Sequence, residues 1–427
     1  MSLWGSNNIS NSAPKWQTDQ DTGETGNQEY GEDIIFVYGD EGYPVPPGWA
    51  RRKQGTGNRK DRFMWESLAT FKQTKTKSFA LSKPVRVLVV GDSLTAGRGA
   101  GSGSVQMDGA RALSWPTIMT NTLQSWGFNA QAESFCEGNN TGGSLPLYDP
   151  RITMGSFGIG AGRVMGGLGV TANTNTLPLI FTPTSNCDTF ELYLPTNTTF
   201  GTGTYQINAN GTPVAFSENG TAALQKIVIT PTLGANDVRI TAATSSNTVY
   251  VSPIVAYNAA SKPFVIMNMG SRNFSTTDWI QADSPWRPFP SIVTYAPDIT
   301  LISLGINDLR TSGANNSVNT FSTNMQSLIT QAASGGGKVG LVVPPPCDLA
   351  NEGSFTFNQL ITVYKNLSSV NNIPLYRSDA VVGTWNLANT AGNTQTDGLH
   401  YKAPVYQTMG AGVAAMLRDI TARNFAA

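Results

Sequence analysis

The chain has 427 residues, 40% of them hydrophobic and 13% charged, with 28 Lys plus Arg against 28 Asp plus Glu. That length suggests two or three domains and leaves enough core that no disulfide or metal staple is needed. A net charge of zero excludes nucleic acid as the main partner, because neutralising phosphates takes an excess of basic side chains.

The opening Met1-Ser2-Leu3-Trp4-Gly5 has neither a basic n-region nor an apolar h-region, so no secretory signal is expected. No apolar run approaches the ~20 residues that span a bilayer, so no membrane segment is expected. Residues 1–80 differ in texture from the remainder of the chain. An acidic stretch over 19–41 gives way to Pro44, Pro46 and Pro47, then to a basic run from Arg51-Arg52-Lys53 through Arg59, Lys60 and Arg62. Such a segment reads either as a solvated, partly extended arm or as an arm that docks on a partner. Gly48-Trp49-Ala50-Arg51-Arg52, then Gly55-Thr56-Gly57-Asn58-Arg59, and the Met-Ser-Leu-Trp-Gly opening resemble short structural proteins of tailed-phage virions. That resemblance implies a virion or extracellular setting, with virion partner proteins held through residues 1–80.

From Val85 the texture is α/β. Val85 to Val90 is a β-branched run ending at Gly91, the pattern of a buried parallel strand. Ser114-Trp115-Pro116 opens a helix, with Ser as N-cap and Pro in the first turn, running to about Trp126 and stopped by Gly127. A short strand is expected near 130–135. Between about 182 and 258 the period becomes two, as in Phe190-Glu191-Leu192-Tyr193-Leu194 and Lys226-Ile227-Val228-Ile229. Short alternating strands at that spacing predict an antiparallel β-sandwich. Strands at 263–267, 299–304, 339–343 and 373–376 then alternate with helices at 318–333, 357–367 and 404–423. That alternation predicts a parallel sheet with helices on both faces. The expected organisation is an arm over 1–80, a hydrolase domain split into 81–180 and 261–427, and an inserted sandwich over 181–260.

Three places carry chemistry. Ser93, in Gly91-Asp92-Ser93-Leu94, comes straight after the first strand, where open α/β sheets place their sites. Taken alone, it reads as a helix N-cap. His400 is the single histidine of the chain and sits in Asp397-Gly398-Leu399-His400. A serine hydroxyl needs a base that titrates near neutrality, and the imidazole needs a carboxylate to fix its tautomer. Asp397 is close enough in sequence to serve. Leu304-Gly305-Ile306-Asn307-Asp308 ends another predicted strand; the Asn307 amide suits an oxyanion donor, and Asp308 suits an Asx turn.

These three blocks, in this order, resemble the SGNH (GDSL-type) hydrolase family from about Val85 to the end, the predicted insert excepted. The resemblance implies a flavodoxin-like three-layer αβα sandwich and ester hydrolysis through an acyl-enzyme, with no metal and no cofactor. It implies Ser93, Asp397 and His400 as the catalytic set, with an oxyanion hole made of the Ser93 N–H, the Asn307 amide and one further N–H. One block departs from the pattern. In Asn268-Met269-Gly270-Ser271-Arg272-Asn273, the position the family fills with a donor Gly is Asn273. Both Gly270 and Asn273 therefore stand as candidates, and Arg272 beside them could grip an anionic group.

Inserts of this kind in the family resemble carbohydrate-binding modules. The expectation is deacetylation of a bacterial surface polysaccharide by a virion-borne enzyme whose partner is the acylated carbohydrate; a homo-oligomer is compatible with it. The other readings are a non-catalytic virion structural or glycan-adhesion protein, and a lipase or small-ester esterase. Cys136, Cys187 and Cys347, an odd number at long spacing, read as buried thiols rather than a disulfide framework.

Overall fold

The computed structural model describes residues 81–425 except 105, 136–144, 174–176 and 244–246, together with the backbone of 34–37, 49–53 and 63–67. Those three early segments pair antiparallel, with 63–67 in the middle. The rest of the 1–80 region and Cys136 lie outside the described residues.

The centre is a fully parallel sheet of six strands: β1 (Val85–Gly91), β2 (Ala130–Gln131), β3 (Phe264–Gly270), β4 (Ile299–Ser303), β5 (Lys338–Val343) and β6 (Leu375–Arg377). Their order is β6-β5-β4-β1-β3-β2. Every residue of β3 and β4 is buried, which is why these segments are mainly apolar and show no alternation of apolar and polar residues. Helices supply the two covering layers. After the short α1 (Ser93–Ala96), α2 (Trp115–Ser125) packs on the C-terminal α6 (Ala403–Asn424), while α3 (Pro288–Tyr295) and α5 (Phe357–Asn371) pack on α4 (Val318–Ala333). The helix boundaries obey local signals. Pro116 lies in the first turn of α2, the Ser317 hydroxyl caps α4 at the Thr320 N–H, and Thr356 with Gln359 forms a capping box on α5. This is the three-layer αβα architecture expected from the sequence.

The stretch near 130–135 is not one strand. Ala130–Gln131 joins the edge of the parallel sheet, whereas Ser134–Phe135 pairs with Ile254–Tyr257 in an antiparallel sheet. That sheet contains Thr189–Thr196 and Ala223–Ile229 as well, and a five-stranded antiparallel sheet carries Leu179–Phe181, Thr202–Ile207 and Val238–Ala242. The two share one apolar core, with Phe135, Phe190 and Leu192 from the first meeting Phe181, Val238 and Ile240 from the second. Antiparallel strands already begin at Ile152 and include a Gly-rich hairpin, Gly158–Val164 with Gly167–Ala172.

Thr189–Thr196 is buried along its whole length, so its alternation does not mark a solvent face. Phe190, Leu192 and Leu194 point into the antiparallel core, while Glu191 and Tyr193 face the parallel sheet. Arg86 of β1 donates to Glu191 at 2.7 Å and to the Tyr193 hydroxyl at 2.9 Å, and the Tyr193 ring stacks on Tyr295 with centroids 4.2 Å apart. Burial disfavours the Glu191 carboxylate, but Arg86 and Lys226 hold it below its usual range. Breaking such a pair strands a buried charge. Glu191→Gln is expected to lower unfolding stability by about 3 kcal/mol in denaturant titration. An unchanged midpoint would show that this junction contributes little.

Candidate active site

The site lies at the carboxyl ends of β1, β3 and β4, joined by the loop before α6. After Gly91 the chain turns sharply into α1. The Asp92 side chain caps the turn by accepting from the Leu94 N–H at 2.9 Å. Burial pushes the Asp92 carboxyl up to about 7 against those capping bonds. As the first residue of a helix, Ser93 has an N–H with no intrahelical acceptor, and the described hydrogen bonds place none on it.

The Ser93 Oγ is 2.8 Å from His400 Nε2, and His400 Nδ1 is 2.6 Å from Asp397 Oδ2. The carboxylate fixes the tautomer: Nδ1 carries the proton and donates to Asp397, so Nε2 accepts from the serine hydroxyl. The other oxygen, Asp397 Oδ1, accepts from the N–H groups of Leu399 and His400 at 3.0 and 2.9 Å. Gly398 makes this turn possible. Its φ is +70°, and a Cβ there would sit 2.4 Å from the Asn351 side chain. Asn351 Nδ2 and the Asp348 N–H both donate to the Gly398 carbonyl, tying the turn to the loop after β5.

Asp397 is held well below the usual carboxylate range, its bond to His400 overcoming burial. His400 is lowered, first by burial and then by the charges of Arg98 and Arg310, against the raising effect of Asp397. A base must be neutral to accept the serine proton. The acid limb of kcat/KM is therefore expected to fall below the ordinary imidazole value of 6.5, where an acid limb at or above 7 would contradict this electrostatic environment.

Asn307, at the start of the short helix after β4, is buried, and its Nδ2 donates to the Phe274 carbonyl at 2.9 Å. An amide nitrogen has two hydrogens, so one remains for a ligand. Gly305, at φ +118°, could not carry a side chain without striking Phe321 and Leu360. Asp308 does more than close its own turn. Its carboxylate accepts from the Thr276 N–H at 3.0 Å and from Asn316 Nδ2 at 2.7 Å, binding the loop after β4 to the loop after β3.

On that second loop, the Gly270 N–H is engaged by Asn268 Oδ1 at 3.0 Å, and a Cβ on Gly270 would meet the Ala96 nitrogen at 2.4 Å. Gly270 thus lets the end of β3 approach the serine turn. Asn273 sits at φ +62°, the left-handed conformation available to glycine, with no described acceptor on its N–H. Arg272 beside it is half-buried. Arg163, from the Gly-rich hairpin, ion-pairs with Asp278 and lies over the Phe274 ring, clamping this loop from outside. Sequence reasoning gave no role to Arg98, Arg163 or Arg310, because single arginines outside a motif carry no spacing signal.

Among the described residues, no cluster of three metal-ligating side chains occurs and no helix is long and apolar enough to cross a membrane. Cys187 and Cys347 are free and buried, and burial pushes both thiols up to about 12.

The fold is similar to that of a solved peptidoglycan O-acetylesterase, with a TM-score of 0.60 at 13% identity, covering 83% of this chain and 96% of that one. A lipase/acylhydrolase from Enterococcus faecalis aligns at 25% identity over 38% of this chain and 77% of its own, with a TM-score of 0.31. A family two carbohydrate esterase from Clostridium thermocellum aligns at 13% identity over 60% of this chain and 95% of its own, with a TM-score of 0.28. No curated protein matches significantly. The model of the GDSL-like lipase/acylhydrolase family matches residues 87–413, most of the chain, and the protein belongs to that family of ester hydrolases.

Proposed function

We propose that the protein is a serine esterase that removes O-acetyl groups from a carbohydrate, with Ser93 as nucleophile, His400 as general base and Asp397 as the group that orients it. The observation that carries this reading is the unbroken Ser93–His400–Asp397 hydrogen-bond chain, with links of 2.8 and 2.6 Å. His400 Nε2 takes the hydroxyl proton as Ser93 Oγ attacks the ester carbonyl. The developing oxyanion is bound by the N–H groups of Ser93 and Asn273 and by the free hydrogen of the Asn307 amide. His400 returns the proton to the leaving sugar hydroxyl, and water then attacks the acyl-enzyme to release acetate. Asn273 is preferred to Gly270 as the second backbone donor, since the Gly270 N–H is committed to Asn268.

Two observations support a sugar ester over a lipid. The fold is similar to that of a peptidoglycan O-acetylesterase over most of both chains. Phe200, Tyr250 and Trp286 form a half-exposed aromatic group with centroids 4.2 and 5.4 Å apart, a surface suited to sugar rings. The setting we propose is a virion carrying the enzyme to a bacterial surface polysaccharide, docked through residues 1–80; its support is the sequence of that segment. The test is acetate release from a panel of acetylated glycans. Release from glycans supports the reading, release from lipid esters alone makes the protein a lipase, and glycan binding without turnover of any ester makes it an adhesin.

A further inference from the structure

Most described arginines, such as Arg86, Arg111, Arg151 and Arg377, are ion-paired with a carboxylate. Arg98 and Arg310 are not, and both flank the catalytic group. Arg98 lies just past α1, its N–H donating to the Ser93 carbonyl at 2.9 Å and its own carbonyl accepting from the Tyr406 hydroxyl at 2.6 Å. Arg310 comes after Asn307 by less than one helical turn. Its Nη1 lies 3.4 Å from Asn307 Oδ1 and its Nη2 2.8 Å from the Ser312 hydroxyl, both neutral partners. In each arginine the Nε is buried with no acceptor, while the side chain as a whole is half-buried. The carboxylates whose charges reach them, Asp397 for Arg98 and Asp92 for Arg310, are hydrogen-bonded to His400 and to the Leu94 N–H. The Arg310 guanidinium thus lies against the Asn307 amide, Arg98 is tied through its backbone to the Ser93 turn, and the charges of both reach His400, with neither ion-paired to a carboxylate among the described residues.

That arrangement is costly for an esterase acting on a neutral substrate. His400 must become a cation as the serine is deprotonated, and two nearby cations oppose this. The transient oxyanion offsets part of that charge. A further anion arriving with the substrate would offset the rest, and a guanidinium fork matches a carboxylate in a bidentate geometry. We propose that Arg98 and Arg310 form an anion subsite beside the ester, so that the favoured substrate is an O-acetylated sugar polymer bearing carboxylates, of the uronic acid class. This rests on the esterase reading and narrows its substrate.

The test compares kcat/KM for acetate release by the full chain on acetylated polygalacturonate and on acetylated xylan, at low salt. The acidic polymer is expected to be favoured by about tenfold, the worth of one charge-assisted hydrogen bond. Arg98→Gln and Arg310→Gln should each shrink the acidic-to-neutral ratio, chiefly through KM. The ratio cancels any loss in the shared chemical step or in the folded fraction. A check that needs no variant is competitive inhibition of 4-nitrophenyl acetate hydrolysis by galacturonate and not by galactose. A wild-type ratio near one, or a ratio unchanged in both variants, overturns the subsite. Absence of turnover on every ester, 4-nitrophenyl acetate included, overturns the esterase reading itself and the subsite with it.

Discussion

Ser93→Ala is expected to lower kcat/KM for an acetate ester by about 10⁴-fold or more while leaving the thermal unfolding midpoint in place. The side chain removed is a single hydroxyl, and its only described partner is the His400 ring. The turn that carries it is held from elsewhere, by the Asp92 cap, by the Ser271 N–H donating to the Gly91 carbonyl and by the Trp279 indole donating to the same oxygen. Loss of activity should therefore come without loss of fold. His400→Ala should cost about as much, and the double variant little more than either alone, because nucleophile and base act as one unit. Unchanged turnover in Ser93→Ala would place the nucleophile elsewhere.

The second large effect is expected at Asn307. Its Nδ2 is fixed by the Phe274 carbonyl, and its Oδ1 lies near Arg310, so the remaining N–H has one direction in which to point. A donor held in advance toward a developing oxyanion contributes about 3 kcal/mol to the barrier. Asn307→Ala should therefore lower kcat by about 10²–10³-fold with KM little changed. A rise in KM with kcat unchanged would mean that Asn307 binds substrate without serving the transition state. The loop it anchors should survive the change, since Asp308 still holds Thr276 and Asn316.

Much of the fold was legible because its parallel strands are buried on both faces. Val85–Gly91, Phe264–Gly270 and Ile299–Ser303 have no polar face to confuse the period, and each leads directly into a segment that carries chemistry. The helices α4 and α6 were equally plain, one by its helical spacing up to the run Gly335-Gly336-Gly337, the other from Pro404 onward. The Gly158–Val164 and Gly167–Ala172 hairpin was not legible, because glycines give a strand no alternation to read. The 130–135 segment was read as one strand because its break, at two residues, is shorter than any window that detects period.

At the site, residue types were legible and partners were not. The single imidazole and the Asp three residues before it pointed to each other through sequence distance alone. The Gly270 contact with Ala96 and the reach of Asp308 to Thr276 depend on loops that meet only in three dimensions. Asn273 shows the middle case: its identity departs from glycine, yet its backbone takes the glycine-like conformation at φ +62°.

The most direct measurement is covalent. On incubation of the full chain with a fluorophosphonate, intact-mass spectrometry and peptide mapping should show one adduct, on the Ser93 oxygen, that fails to form in the His400→Ala variant. Stoichiometric labelling of any other side chain, or labelling of Ser93 that proceeds equally without the imidazole, would contradict the proposed catalytic unit.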